Sequence, residues 1–408
     1  MISNISTTKT NAKRFLLDFQ LLNDSKTPSN KNESELALNI IRNLECIQLD
    51  PIAAVERNHH LVLQARQPNY RVEILEKLIS NRHLFEYVAN AACIIPIEDF
   101  PKFKIIQDFY INTIHTSTQS LNEIMEKVMD QMMKSEPLPS RALKSDKIVK
   151  GYWDNAKPTT KETTLALNIL FDLGKITVAK RNGNEKFYTA TENHVPKSFL
   201  NERSNISIND SKEALIRKYM KAYRIFDFED PRFGWFKTTA KERIAIRDKL
   251  LHQGIVIPVD IKNVKRQYYI LTEDVEKLET SDEYTDCSTV KFLPPLDNLL
   301  WRRSRIEDLF NFSYKWEIYF PESKREFGYY AMPILYGDKL IGRIDPKYLR
   351  KSNILQIKLL QIESHIKIDS KLLNELRKAL KQFAVFHKAK NIVIETTSPK
   401  SLIKKISI

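Results

Sequence analysis

The stretch TTKETTLALNILFDLGKITVAKRNGNEKFYTA, residues 159–190, carries three structural signals in a row. Apolar Leu165, Leu167, Ile169, Leu170 and Leu173 predict a helix over 159–173. Gly174 follows as a residue free to take the left-handed conformation that ends helices. Two strand-length runs, 175–181 and 185–190, then flank Asn182-Gly183. Asn-Gly marks a tight hairpin because both turn residues accept positive φ. A helix followed by a hairpin is the closing half of a winged helix. This segment is also basic: residues 138–190 hold ten Lys or Arg against five Asp or Glu. Lys180 and Arg181 fall at the expected hairpin tip, where a wing meets a groove or a phosphate.

The same order recurs on either side. Downstream, 211–224 predicts a helix with Ser211 as N-cap, and 239–253 a second helix stopped by Gly254. Runs 255–261 and 266–272 then form a hairpin around Lys262-Asn263. Upstream, helices over 33–44 and 70–80 precede a strand-like run at 84–97. Beyond residue 285 the pattern becomes strand-rich, with apolar or alternating runs at 316–320, 329–335, 339–344 and 354–360. A helix over 370–387 and a strand over 391–395 follow. The expectation is an α+β chain: three tandem winged-helix units and a C-terminal β-barrel-like domain. The boundaries fall at 1–135, 136–200, 201–284 and 285–408.

Composition narrows the chemistry. Only 8 of 408 residues are glycine, against a usual share of about 7%. Neither GxGxxG nor GxxxxGK[ST] occurs, which excludes the phosphate cradles of dinucleotide-binding and P-loop enzymes. Cys46, Cys93 and Cys287 form no CxxC pair, and no HExxH or GxSxG is present. Zinc, iron–sulfur, disulfide and Ser–His chemistry therefore have no support. Adjacent His59 and His60 would diverge by about 100° on a helix and share no metal easily. A formal net charge of +14 points to a polyanionic partner, with nucleic acid first. With no secretory segment and no apolar run of membrane-spanning length, the expected location is cytoplasmic, at the nucleoid. No cofactor or metal is expected, and nothing demands more than a monomer.

One short segment stands apart. Gln48-Leu49-Asp50 places two polar side chains at i and i+2, which share a side in extended backbone. Pro51 disfavours α-helix at Asp50 and supports that geometry. On residue types alone, the commoner role for Asp50 is to cap a helix that starts at Pro51. A carboxylate can also do both.

Gln48-Leu-Asp-Pro-Ile-Ala-Ala-Val-Glu-Arg-Asn-His-His-Leu-Val-Leu resembles the signature of YcaQ-type DNA glycosylases, the AlkZ-related crosslink-repair family. The resemblance continues in Leu84-Phe-Glu-Tyr, Ile95-Pro96 and Trp153. It is strongest in Pro295-Leu-Asp-Asn-Leu-Leu-Trp-Arg-Arg and Leu309-Phe-Asn-Phe-Ser-Tyr-Lys-Trp-Glu-Ile-Tyr. Lys324-Arg-Glu-Phe-Gly-Tyr-Tyr and Gly337-Asp-Lys-Leu-Ile-Gly-Arg-Ile-Asp-Pro-Lys extend it. It implies three winged helices with a C-terminal barrel. It also implies a Gln–hydrophobic–Asp catalytic motif, which Gln48 and Asp50 match, and double-stranded DNA carrying alkylated or crosslinked guanine as the partner. Arg57, His60 and Arg66 become candidate contacts with phosphate or lesion. Asp297, Asn298 and Arg343 read as scaffold.

The implied chemistry agrees with the residues. N7-alkylated guanine is already cationic and leaves without protonation, so no strong general acid is needed. An ionised Asp can stabilise an oxocarbenium-like sugar and present water. No lysine sits in the motif to form a Schiff base, which favours a monofunctional hydrolase. A crosslinked lesion would not fit a snug base-flipping pocket, so an open site is expected. The rival is a non-catalytic winged-helix DNA-binding regulator, which the Gln–Leu–Asp motif and the C-terminal domain argue against.

Overall fold

The computed structural model describes residues 4–23, 32–114, 121–151, 154–155, 157–283 and 288–406. Trp153 and Cys287 lie outside them. Among the described residues, no helix is long and apolar enough to cross a membrane. The chain divides into two compact units, one of residues 1–72, 220–233 and 237–408, the other of 73–219 and 234–236.

In the second unit the helix Glu162–Asp172 buries Leu165, Ala166, Leu167, Ile169 and Leu170. Gly174 takes φ +67°, and the antiparallel strands Ile176–Asn182 and Glu185–Ala190 turn at Gly183, φ +57°. The side chain of Gln107 closes over Gly174, so that an added Cβ would sit 2.6 Å from its Nε2. A third short strand, Leu138–Pro139, pairs with Glu185–Ala190. The run at 84–97 is itself a hairpin, Leu84–Val88 against Ala92–Pro96. The later helix begins at Ile208 rather than at Ser211. Ser211 is instead wholly buried, donating to Lys102 O at 2.8 Å and accepting from Ile105 N at 3.0 Å.

The first unit holds the third helix–hairpin. Thr239 and Glu242 form a capping box ahead of the helix Ala240–His252, and strands Val256–Ile261 and Tyr268–Leu271 follow. The polar start of the chain joins this sheet. Ile5–Thr7 pairs in parallel with Val256–Ile261, and the helix Lys9–Phe19 buries Ala12, Phe15, Leu16 and Leu17.

The C-terminal strands form one open sheet instead of the expected barrel. Its order is Val290–Phe292, Met332–Tyr336, Lys339–Leu349, Ile354–Ile362, Asn391–Ser398, with only the last pair parallel. Among the described residues the two outer strands do not pair with each other. The physical reason is the helix Ser370–Phe386. Its buried Leu372, Leu376, Leu380 and Phe383 share a core with the sheet residues Ile344, Leu355, Ile357 and Leu360. That helix removes from water the face that closure would otherwise have to bury. Residues 316–320, expected as a strand, form a loop.

A buried ion pair ties the first unit together across 231 residues. Arg66 Nη1 and Nη2 donate to Asp297 Oδ2 and Oδ1 at 2.7 and 3.0 Å, with both side chains at 0% exposure. Arg66 also donates to Gln20 O at 2.7 Å and Val62 O at 2.9 Å. This corrects the expectation that Arg66 contacts DNA: its guanidinium is enclosed and committed within the fold. Removing one partner of such a pair strands the other charge in a dry site, at a cost of about 3–5 kcal/mol. Arg66→Met should therefore lower unfolding stability by about that amount in urea titrations. A variant as stable as wild type would return Arg66 to the surface role.

Candidate active site

The helix Glu33–Leu44 is started by Asn32, whose side chain accepts from Ser34 N at 3.0 Å, and it ends at Glu45 with φ +67°. The chain then runs extended through Ile47–Gln48, with Cys46 and Ile47 fully buried. Two buried asparagines hold this segment by its carbonyls. Asn298 Nδ2 donates to Cys46 O at 2.7 Å and to Leu44 O at 3.3 Å. Asn58 Nδ2 donates to Gln48 O at 2.9 Å and Leu296 O at 3.3 Å, while its Oδ1 accepts from Leu296 N at 3.1 Å. A backbone fixed on both sides fixes where the Gln48 and Asp50 side chains start.

Asp50 does not cap a helix, because the next helix begins at Asn58. Its Oδ1 accepts from Ile52 N at 2.9 Å, a local turn that Pro51 favours. The other carboxylate oxygen engages no donor among the described residues. Asp50 is half-buried, and burial pushes its carboxyl above the ordinary value, with the Ile52 N–H opposing. The loop beyond it lies on the C-terminal sheet: Tyr348 N donates to Ala54 O at 3.0 Å, and Val55 is fully buried. Tyr330 completes this neighbourhood. Burial drives its phenol well upward, and the negative charges of Asp50 and Glu56 add to that. The Trp316 ring meets Tyr330 edge-on, at 6.0 Å and 84°.

The other expected residues are distributed differently. His60 is 2% exposed, its Nδ1 2.8 Å from Tyr70 Oη, and its ring lies 4.3 Å from that of His59. That burial replaces the expected lesion contact of His60 with a packing role. Arg57 is 8% exposed, its backbone N–H bonded to Glu56 Oε1 at 2.9 Å. In the second unit, Arg181 forms a bidentate pair with Glu86, at 2.5 and 2.7 Å, and its side chain is 12% exposed. The guanidinium is thus turned into the fold rather than offered at the hairpin tip. Lys180 remains exposed, its ammonium 5.0 Å from the Phe187 ring centroid. Asn58, which pins the motif, and Tyr330, which Asp50 acts upon, were not singled out by sequence reasoning. Both lie inside stretches quoted above, yet only the fold brings them to Gln48 and Asp50. Among the described residues no three His, Cys, Asp or Glu are grouped to hold a metal.

An ionised carboxylate kept partly from water acts on a nearby cation more strongly than one in bulk solvent. The same desolvation has a cost in stability. A raised carboxyl pKa means that the folded state holds the proton to higher pH, so its contribution is present below about 3.8 and lost as pH rises. Asp50→Asn keeps an acceptor for Ile52 N and removes the buried charge. The variant should melt above wild type at pH 7, with the gap closing toward pH 4. A lower midpoint at pH 7 would contradict this.

The family model for "DNA glycosylase AlkZ-like" matches residues 41–386. Among solved structures, the chain is similar to Streptomyces sahachiroi DNA glycosylase AlkZ, with 13% sequence identity and a TM-score of 0.63. That match covers 96% of this chain and 100% of the other, a likeness of fold.

Proposed function

The chain belongs to the AlkZ-like DNA glycosylase family, and from that premise we propose that it hydrolyses the N-glycosidic bond of N7-alkylated guanine in duplex DNA. Crosslinks joined through that nitrogen are unhooked by the same step. The observation that carries the reading is the half-buried Asp50 carboxylate, with one oxygen held by Ile52 N and the pKa raised by burial.

The alkylated base is already cationic. As C1′–N9 breaks, the bonding electron pair passes to the purine, which departs neutral. The positive charge moves to the sugar as an oxocarbenium ion. Asp50, ionised at neutral pH, stabilises that ion. Preorganised opposite charge of this kind acts on the transition state more than on the ground state. Water adds to C1′, and the proton it sheds is taken by Asp50. Gln48 orients that water by accepting one of its hydrogens, from a backbone that Asn58 fixes. No lysine takes part, so the product is an abasic site and the strand stays intact. Lys180 contacts phosphate from the exposed hairpin. The enzyme acts as a monomer.

The test is a duplex oligonucleotide carrying one N7-methylguanine, followed by single-turnover kinetics and alkaline cleavage. Asp50→Asn and Gln48→Ala should each lower the excision rate on the order of 10²–10³-fold. A nitrogen-mustard crosslinked duplex should be separated by wild type only. Wild-type rates in either variant, with folding intact, would remove that residue from the chemistry.

A further inference from the structure

The quoted motifs around 309–319 and 324–330 are not absorbed by the chemistry above, and they meet in one loop. Residues 315–330 carry three exposed aromatic side chains: Tyr319 at 81%, Tyr329 at 38% and Phe320 at 36% exposure. An aromatic ring that is four-fifths in water contributes little to folding, so Tyr319 is not explained by packing.

The loop beneath these rings is rigidly built. Glu317, 5% exposed, accepts from three backbone amides: Glu326 N at 3.2 Å, Phe327 N at 2.8 Å and Gly328 N at 3.2 Å. Asp345, 4% exposed, accepts from Tyr329 N at 3.2 Å and Tyr330 N at 2.8 Å. Gly328 has φ +115°, and a Cβ there would lie 2.0 Å from Asp345 Oδ2, so only glycine admits this approach. Two buried carboxylates therefore hold a loop whose rings face outward. Cations accompany them. Lys315 Nζ is 5.8 Å from the Phe320 ring, and the Arg325 guanidinium is 5.1 Å from the Tyr329 ring while its Nε donates to Phe320 O at 2.9 Å.

The loop is also continuous with the catalytic segment. Tyr319 meets Trp316 edge-on at 6.0 Å, and Trp316 meets Tyr330 at the same distance. Tyr330 lies in the core that includes Val55, against which Ile52 and Trp316 pack. A chain of rings thus leads from the Asp50 turn to the surface.

We propose that Tyr319 is a stacking platform for an unpaired nucleobase of the DNA at the lesion, with Lys315 and Arg325 facing the flanking phosphates. This rests on the reading of the chain as an enzyme that acts on DNA at Asp50. Stacking suits such a role because every base presents a π-face, so the platform takes the lesion or the base opposite without reading sequence. A rigid platform also pays little conformational entropy on binding. It provides purchase on a distorted duplex without an enclosing pocket, which a tethered opposite strand would not enter.

The experiment measures binding, not excision. Fluorescence anisotropy compares a duplex containing one unpaired guanine with the same duplex fully paired. Wild type should prefer the unpaired form. Tyr319→Ala should weaken binding to it by about tenfold, the scale of losing one base–aromatic stack, and leave the paired duplex unchanged. Tyr319→Phe should bind as wild type. An Ala variant that binds the unpaired duplex like wild type overturns the proposal. So does one that weakens both duplexes equally, or one whose only change is loss of self-association in gel filtration. Because no bond is broken, a wild type that discriminates but does not excise would sink the proposed chemistry alone.

Discussion

The Arg66–Asp297 pair is the constraint on which the site depends. Two opposite charges at 0% exposure are tolerated only with their hydrogen-bonding capacity satisfied. Here Asp297 takes two donors from Arg66 and a third from Leu299 N at 2.9 Å. Arg66 reaches Val62 O and Gln20 O as well. The pair fixes the helix Asn58–Gln64 against the 295–300 segment. Those two elements supply Asn58 and Asn298, the side chains that clamp the backbone of Gln48 and Cys46. The Gln48–Asp50 segment is thereby hung from a scaffold with little freedom to shift. Asp50 itself is attached more lightly, by one turn hydrogen bond, with an oxygen in reserve.

Local signals were legible and distant partnerships were not. Asn182-Gly183 and Lys262-Asn263 mark hairpins, and Gly183 and Asn263 take φ +57° and +63°; Asn182, however, ends its strand opposite Glu185 instead of sharing the positive-φ turn. The helix Glu33–Leu44 has the expected bounds, since its cap and apolar spacing agree. By contrast, Ile5–Thr7 is three residues long, too short for any period, and its partner strand lies some 250 positions away. Arg66 in a sequence reads as a surface cation; only the fold reveals a carboxylate 231 residues distant. The alternation at Trp316–Phe320 suggested a strand, but Glu317 turns inward to gather loop amides, which outweighs the pattern. The Gln48–Asp50 segment was visible as two polar side chains in an apolar run. Asn298 was read as scaffold, which its bonds to Cys46 O and Leu44 O agree with, whereas Asn58 and the Tyr330 ring were not singled out.

The scaffold suits the chemistry proposed for it. The half-buried carboxylate of Asp50 suits the proposed reaction, in which an already cationic base leaves without an acid. The rest of the machinery is positional: clamped carbonyls behind the motif, a sheet beneath the loop and a ring of aromatics toward solvent. Glycines are few and serve at breaks and close approaches, as Gly174 against Gln107 and Gly328 against Asp345 show. The surplus positive charge meets the polyanion that the family binds.

The most direct test of the central claim is the pH dependence of single-turnover excision from an N7-methylguanine duplex. Departure of an already cationic base is insensitive to pH, so an acid limb reports the enzyme. The account predicts that the wild-type rate falls about tenfold per pH unit below the raised pKa of Asp50, with the limb lying above 3.8. It predicts a slow and flat profile for Asp50→Asn. A limb that persists unchanged in the Asn variant would contradict it.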